Sequence, residues 1–302
     1  MPFRNTGQIC IGHATNERTD GTDGHTPPPY LYFRPSGNTL KINMRFALLI
    51  LLVILCLQTG CGHSSSDKLV VGMELAYPPF EQTDEKGTPT GVSVDLAKAL
   101  GKFLGREVEI ENTSFDGLIP ALKTGKIDLI ISSMTATAER AQSIDFSEPY
   151  VKTGLCLLLN KNSTVKTIED LDQAGKTVAV KKGTTGQAYA AEHIKQATVL
   201  LLDKEAACVL EVVQGKADAF IYDQMSTYQN WKRNEATTRP LLKPFKEEAW
   251  AIGIRKGNIA LQEKVNQFLL DFRAKKGFEE LGDRYLKEQK DAFKTLGFPF
   301  YF

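Results

Sequence analysis

Arg140 follows Glu139 in a polar stretch, and its guanidinium is a planar, permanently charged fork that matches a carboxylate through two parallel hydrogen bonds. Gly183-Thr184-Thr185-Gly186 stands just before a helical pattern. The unpartnered N–H groups of a helix start attract an anion there, and a plain N-cap accounts for the same residues. Asp223 closes an apolar, strand-like run, where it either meets a cation or caps the helix that starts at Gln224. Polar residues at the ends of strands are therefore the chemistry on offer. Catalytic signatures are missing: there is no Gly-x-Ser-x-Gly, no His-Glu-x-x-His and no phosphate loop. The five cysteines show no Cys-x-x-Cys and no Cys/His ligand spacing, so no metal site and no cofactor are expected. His193 reads as a solvated helix residue, and Cys156 and Cys208 either pair or remain two buried thiols.

The elements that must position these residues alternate. Strand patterns at 69–74, 108–111, 129–132, 155–159, 177–180, 199–202, 219–222 and 249–254 are interleaved with helical ones at 94–104, 115–123, 187–194, 204–213 and 261–274. That order predicts an α/β architecture with mainly parallel sheets flanked by helices. One passage echoes another: residues 121–131 and 212–221 both run from a helix through Gly-Lys-x-Asp into a buried strand. Gly125 and Gly215 are placed to end the helices in left-handed caps. The echo argues for two similar lobes, against chance recurrence of a common turn. Ligands of open α/β sheets sit beyond the carboxyl ends of the strands, so facing lobes would put the site between them.

Composition narrows the class. The 302 residues are 42% hydrophobic and 24% charged, which suits a folded chain of about two domains. A net charge of +1 leaves no positive surplus for a phosphate backbone, so nucleic acid is not an expected partner. Residues 46–57 form an unbroken apolar run after Met44-Arg45 and before Gln58-Thr59-Gly60-Cys61. It is shorter than the roughly 20 residues of a spanning helix and has the layout of an export signal. Thr59-Gly60-Cys61 resembles the lipobox of bacterial lipoproteins, which implies lipidation at Cys61, with ordinary cleavage to a soluble periplasmic protein as the alternative. Residues 1–43 are polar and Pro-rich, and are expected to be a non-translated or disordered leader ahead of a start at Met44. The expected plan is a signal at 44–61, a tether at 62–68, one lobe from 69–152 plus 248–302, and a second from 153–247.

Blocks at 71–81 (VGMELAYPPFE), 91–96 (GVSVDL), 115–122 (FDGLIPAL), 128–135 (DLIISSMT), Glu139-Arg140 and 144–150 (IDFSEPY) occur in order. Together they resemble the periplasmic amino-acid-binding proteins of ABC uptake systems, solute-binding protein family 3, from about residue 69 to 286. The arginine and lysine/arginine/ornithine binders are the nearest subgroup. The resemblance implies two lobes joined by a two-strand hinge, with crossovers near 151–155 and 245–249. It implies that Arg140 holds a ligand α-carboxylate, with Thr184 and Thr185 closing on it from the second lobe. Asp223 would take the α-ammonium, and Ser133 and Thr135 would complete the contacts. Tyr77 and Phe115 would stack on the ligand side chain, and Glu74, with the Ser132 hydroxyl, would meet its cationic tip. Lys181 departs from the apolar residue expected before the second-lobe loop, and would repel a basic ligand unless it points outward.

The expectation is therefore a monomeric, non-enzymatic carrier in the periplasm or cell envelope. It captures a basic L-amino acid (arginine first, then lysine or ornithine) and delivers it to an ABC permease, with a lipid anchor as its membrane contact. The alternative is an enzyme of the same fold, resembling cyclohexadienyl dehydratases, for which Glu74 is the obvious acid or base. A receptor sensor domain is a weaker third reading.

Overall fold

In chain order the strands are β1 (Leu69–Met73), β2 (Ala76–Tyr77), β3 (Glu81–Thr83), β4 (Pro89–Thr90), β5 (Val108–Asn112), β6 (Leu129–Ile130), β7 (Ile144–Phe146), β8 (Val151–Asn160), β9 (Thr177–Lys181), β10 (Thr198–Leu202), β11 (Ala219–Asp223), β12 (Thr238–Trp250) and β13 (Gly253–Arg255). The helices are α1 (Val92–Leu104), α2 (Leu118–Thr124), α3 (Ala138–Ser143), α4 (Thr185–His193), α5 (Glu205–Val213), α6 (Gln224–Arg233), α7 (Ile259–Ala274), α8 (Gly277–Tyr285) and α9 (Lys287–Leu296). The computed structural model describes residues 68–300. The leader, the export signal, Cys61 and residues 62–67 lie outside them.

Two five-stranded sheets result, ordered β5-β1-β6-β13-β7 and β10-β9-β11-β8-β12, with β2, β3 and β4 forming a small third sheet. Each large sheet has a parallel half, β5-β1-β6 in one and β10-β9-β11 in the other. In those halves helices lie between successive strands in the chain, as parallel pairing requires. The antiparallel strands are added where the chain passes between the sheets: β7 leads into β8, and β12 leads into β13. The strand predicted at 249–254 is accordingly two, broken at Ala251-Ile252, because β12 belongs to one sheet and β13 to the other.

The sequence echo is a structural one. Gly125 and Gly215 both take positive φ, +81° and +73°, and end α2 and α5 before the inner strands β6 and β11. Asp128 and Asp218 then occupy matching corners. The Asp128 carboxylate accepts from the Val70 N–H at 3.0 Å, and Asp218 accepts from the Thr177 N–H at 3.0 Å. Each aspartate also pairs with a basic residue, Arg106 at 3.5 Å and Lys176 at 3.0 Å. Both sheets are thus sewn at the same point by the same Gly-Lys-x-Asp device.

Apolar faces of the strands and helices supply the cores. Leu69, Val71 and Met73 of β1 are fully buried beneath α1, which contributes Leu96, Ala97 and Leu100. Around the second sheet Leu155, Leu157, Leu159, Val178, Val180 and Ile221 play the same part. Each such side chain contributes roughly 1.5–3 kcal/mol on burial, which holds the strand ends rigid enough to present polar groups. No helix among the described residues is long and apolar enough to cross a membrane.

Candidate functional site

Strand termination delivers the polar residues. β1 ends at Met73, so Glu74 stands just past its carboxyl end, and β6 ends at Ile130, two residues earlier than its apolar run predicts. The early stop releases Ser132 and Ser133, and Ser133 takes φ +49°, a left-handed backbone uncommon outside glycine. Arg140 lies on α3, whose N-cap Thr137 accepts from the Arg140 N–H at 3.1 Å. In the other sheet, Thr184 caps α4 by accepting from the Gln187 N–H at 3.3 Å. Asp223 caps α6, accepting from the Ser226 N–H at 3.0 Å. Both capping assignments hold, and both residues also face the cavity.

One cavity, enclosing about 460 Å³ partly open to solvent, is lined by all ten residues singled out in the sequence: Glu74, Tyr77, Phe115, Ser132, Ser133 and Thr135, with Arg140, Thr184, Thr185 and Asp223. Glu81, Leu155, Tyr222, Glu248 and Trp250 complete the lining. Contributions come from strand ends of both large sheets, as the crevice rule for α/β sheets requires.

At one end the guanidinium of Arg140 donates to the Thr135 carbonyl at 2.7 Å and to the Gly183 carbonyl at 2.9 Å. It thereby spans from its own sheet to the loop after β9. Burial pulls Arg140 below its ordinary pKa, and the Glu248 charge pushes it back. The hydroxyls of Thr135 and Thr185 both donate to one oxygen of Glu248, each at 3.0 Å. Those hydroxyls converge where a carboxylate oxygen is accommodated. The second Glu248 oxygen is buried with no hydrogen-bond partner, and burial raises this carboxyl.

The aromatic wall is continuous. Tyr77 stacks on Phe80 at 5.5 Å and meets Trp250 edge-on at 5.9 Å and Tyr222 at 6.2 Å. Its hydroxyl donates to Asp223 at 2.7 Å across the cleft. Burial raises Asp223 to about 6, opposed by that bond.

At the other end Ser132, Ser133 and Lys181 all have partners within the protein. Ser132 donates to Glu81 at 3.4 Å and accepts from the Glu74 N–H at 3.0 Å. Ser133 also donates to Glu81, at 3.1 Å. Lys181 does not point outward: it is 3% exposed and forms an ion pair with Glu74. Its ammonium also lies 5.3 Å from the Phe115 ring centre, and Arg140 lies 5.5 Å from the same ring.

Glu81 and Glu248 were not legible as cavity residues. Glu81 follows Phe80 in a motif already noted, yet only the fold shows that β3 turns it inward to 1% exposure. Glu248 sits in Lys246-Glu247-Glu248, which has the charge density of a solvated strand. Cys156 and Cys208 are both free and buried. Among the described residues no cluster of His, Cys, Asp and Glu is placed to hold a metal ion.

The model of the bacterial extracellular solute-binding proteins, family 3, matches residues 69–288, and the chain belongs to that family. The L-cystine-binding protein TcyJ of Escherichia coli (strain K12) is 29% identical over 72% of this chain and 82% of its own length. The ABC transporter arginine-binding protein 1 of the same organism is 29% identical over 75% of this chain and 94% of its own. Among solved structures, an ancestral arginine-binding protein bound to arginine superposes with a TM-score of 0.69 at 35% identity, covering 73% of this chain and 98% of that one.

Proposed function

We propose that this protein captures a basic L-amino acid, arginine first, between two lobes and delivers it to an ABC permease. The lobes would be 69–152 plus 248–302 and 153–247, turning about the segments where β7 meets β8 and β12 meets β13. The observation that carries the reading is that one cavity joins a guanidinium and hydroxyl donors to a facing carboxylate. Arg140, Thr135 and Thr185 supply the donors and Asp223 the acid, all lining the same space. A zwitterion needs both signs at the distance of its own α-carbon, and charge-assisted bonds in a desolvated cleft are stronger than in water. Thr135 and Thr185 already hold a carboxylate oxygen, that of Glu248, which is the chemistry a ligand carboxylate asks of them. The Tyr77 and Phe115 rings and the acid Glu74 line the part of the cavity where a long side chain would lie, and a cationic tail there would share Glu74 with Lys181. Closure would bring the halves together around the ligand, with no bond made or broken. The mature chain would sit in the periplasm or cell envelope, tethered through a lipidated Cys61.

Calorimetry against the twenty amino acids and ornithine tests this. Tightest binding of basic ligands, each recovered unchanged, is the expected result. Arg140→Ala should weaken every amino acid by about 30-fold or more, since truncating one partner of a buried charge pair costs about 2–5 kcal/mol. Surviving affinity would move the carboxylate elsewhere, and turnover of a cyclohexadienyl acid would favour an enzyme.

A further inference from the structure

We propose that Glu248 is a resident competitor for the ligand's carboxylate, holding the Thr135 and Thr185 hydroxyls until an incoming amino acid takes them and then turning to Thr153 on the paired strand. The inference rests on the reading of the cavity as an amino-acid site, and it adds a residue that sets affinity for all amino acids alike. Glu248 stands near the end of β12, where the chain passes from one large sheet to the other. One of its oxygens accepts from Thr135, between β6 and α3, and from Thr185, the first residue of α4, each at 3.0 Å. A single internal carboxylate thus bridges both sides of the cavity, which is the task of a ligand carboxylate in the same place. Its charge also acts on Arg140.

A hydroxyl has one proton to donate, so Thr135 and Thr185 cannot serve Glu248 and a ligand carboxylate together. A second seat for Glu248 lies beside the first. Its other oxygen is buried with no hydrogen-bond partner, and so is the Thr153 hydroxyl oxygen. In the ladder between β8 and β12, Glu248 is directly opposite Thr153. Opposed residues leave the same face of a sheet, with Cβ atoms about 5 Å apart. A buried donor and a buried acceptor, each carrying the penalty of a missing bond, are therefore neighbours in register. Rotation of the Glu248 side chain toward Thr153 satisfies both and frees Thr135 and Thr185. The exchange leaves one cost: the ligand carboxylate and Glu248 then lie near one another in a dry space, where like charges repel. Glu248 therefore lowers affinity for any amino acid, whatever its tail.

Titration calorimetry with the twenty amino acids on the wild type and Glu248→Gln tests the competition. Glu248→Gln keeps the shape and an acceptor oxygen and removes the charge. Each amino acid that the wild type binds should bind it about tenfold or more tighter, the scale of one like-charge contact relieved. Glu248→Ala, which removes the competitor outright and should also tighten binding, takes its place if that variant does not fold. A role confined to holding the threonine side chains would weaken binding instead, so equal or weaker affinity overturns the inference. A gain for some ligands and a loss for others does the same, because it ties Glu248 to the tail. A crystal structure of the wild type with its tightest ligand should show Thr135 and Thr185 donating to the ligand carboxylate and Glu248 against Thr153. Glu248 still on both hydroxyls in that structure overturns the inference and leaves the cavity's reading intact. A folded wild type that binds no amino acid overturns that reading and this inference with it.

Discussion

Glu81 is a carboxyl sealed into the protein at 1% exposure, with the Ser93 hydroxyl donating at 2.6 Å. Burial raises it from 4.5 to about 8, and the bonds from Ser93 and Ser133 only partly oppose that. Below about pH 4.5 the folded and unfolded chains both hold this proton. As pH rises from 4.5 toward 8 the unfolded chain releases it first, so folding stability falls through that window and is fully diminished above about 8. Asp223, raised to about 6, and Glu205, raised to about 7, bend the curve the same way. Glu81→Gln keeps hydrogen-bonding capacity and removes the titration. Urea unfolding from pH 4.5 to 8.5 should show a smaller loss of stability in the variant, by order of 3–5 kcal/mol at ~1.4 kcal/mol per tenfold of proton affinity. Parallel curves would place this proton elsewhere.

At the scale of elements, the loop between β9 and α4 decides how closely the two sheets approach. Gly183 has φ +76°, and a Cβ there would stand 3.0 Å from the Asp116 Cβ, on the turn that carries Phe115. Its carbonyl accepts from Arg140, so the loop cannot retreat without losing that bond. Gly183→Ala therefore strains the turn and sets a Cβ against Asp116 in the arrangement seen here. Ligand affinity should fall about fivefold or more, in line with the 1–3 kcal/mol typical of overpacking. Thermal stability should fall too, since a left-handed L-residue costs roughly 1–2 kcal/mol. Unchanged affinity with lowered stability would mean that the approach of the loop to Asp116 has no part in binding.

For the whole molecule, the halves are bridged by bonds of unequal weight. The Lys182–Asp116 pair at 2.9 Å is solvent-exposed, and such pairs contribute about 0–1 kcal/mol. Tyr77 to Asp223 and Lys181 to Glu74 are buried, and they join the two sides together with the bond from Arg140 to the Gly183 carbonyl. If Cys61 carries the anchor, Cys61→Ser should move the protein from the membrane fraction to the soluble fraction with ligand binding intact. Retention on the membrane would argue against lipidation.

The strand–helix alternation and the paired Gly-Lys-x-Asp turns were readable because each depends on local pattern, whereas six of the ten cavity residues were named only through the resemblance to amino-acid-binding proteins. Strand ends are marked by polar residues after apolar runs, and helix starts by residues that cap them. Three features needed the folded chain: the split of 249–254 into β12 and β13, the inward turn of Glu81, and the capture of Glu74 by Lys181 from 107 residues away. Periodicity states which face of an element is apolar. It does not state which charge from the opposite sheet will meet that element's end, because such a contact is fixed only when two cores pack and close a cleft between them.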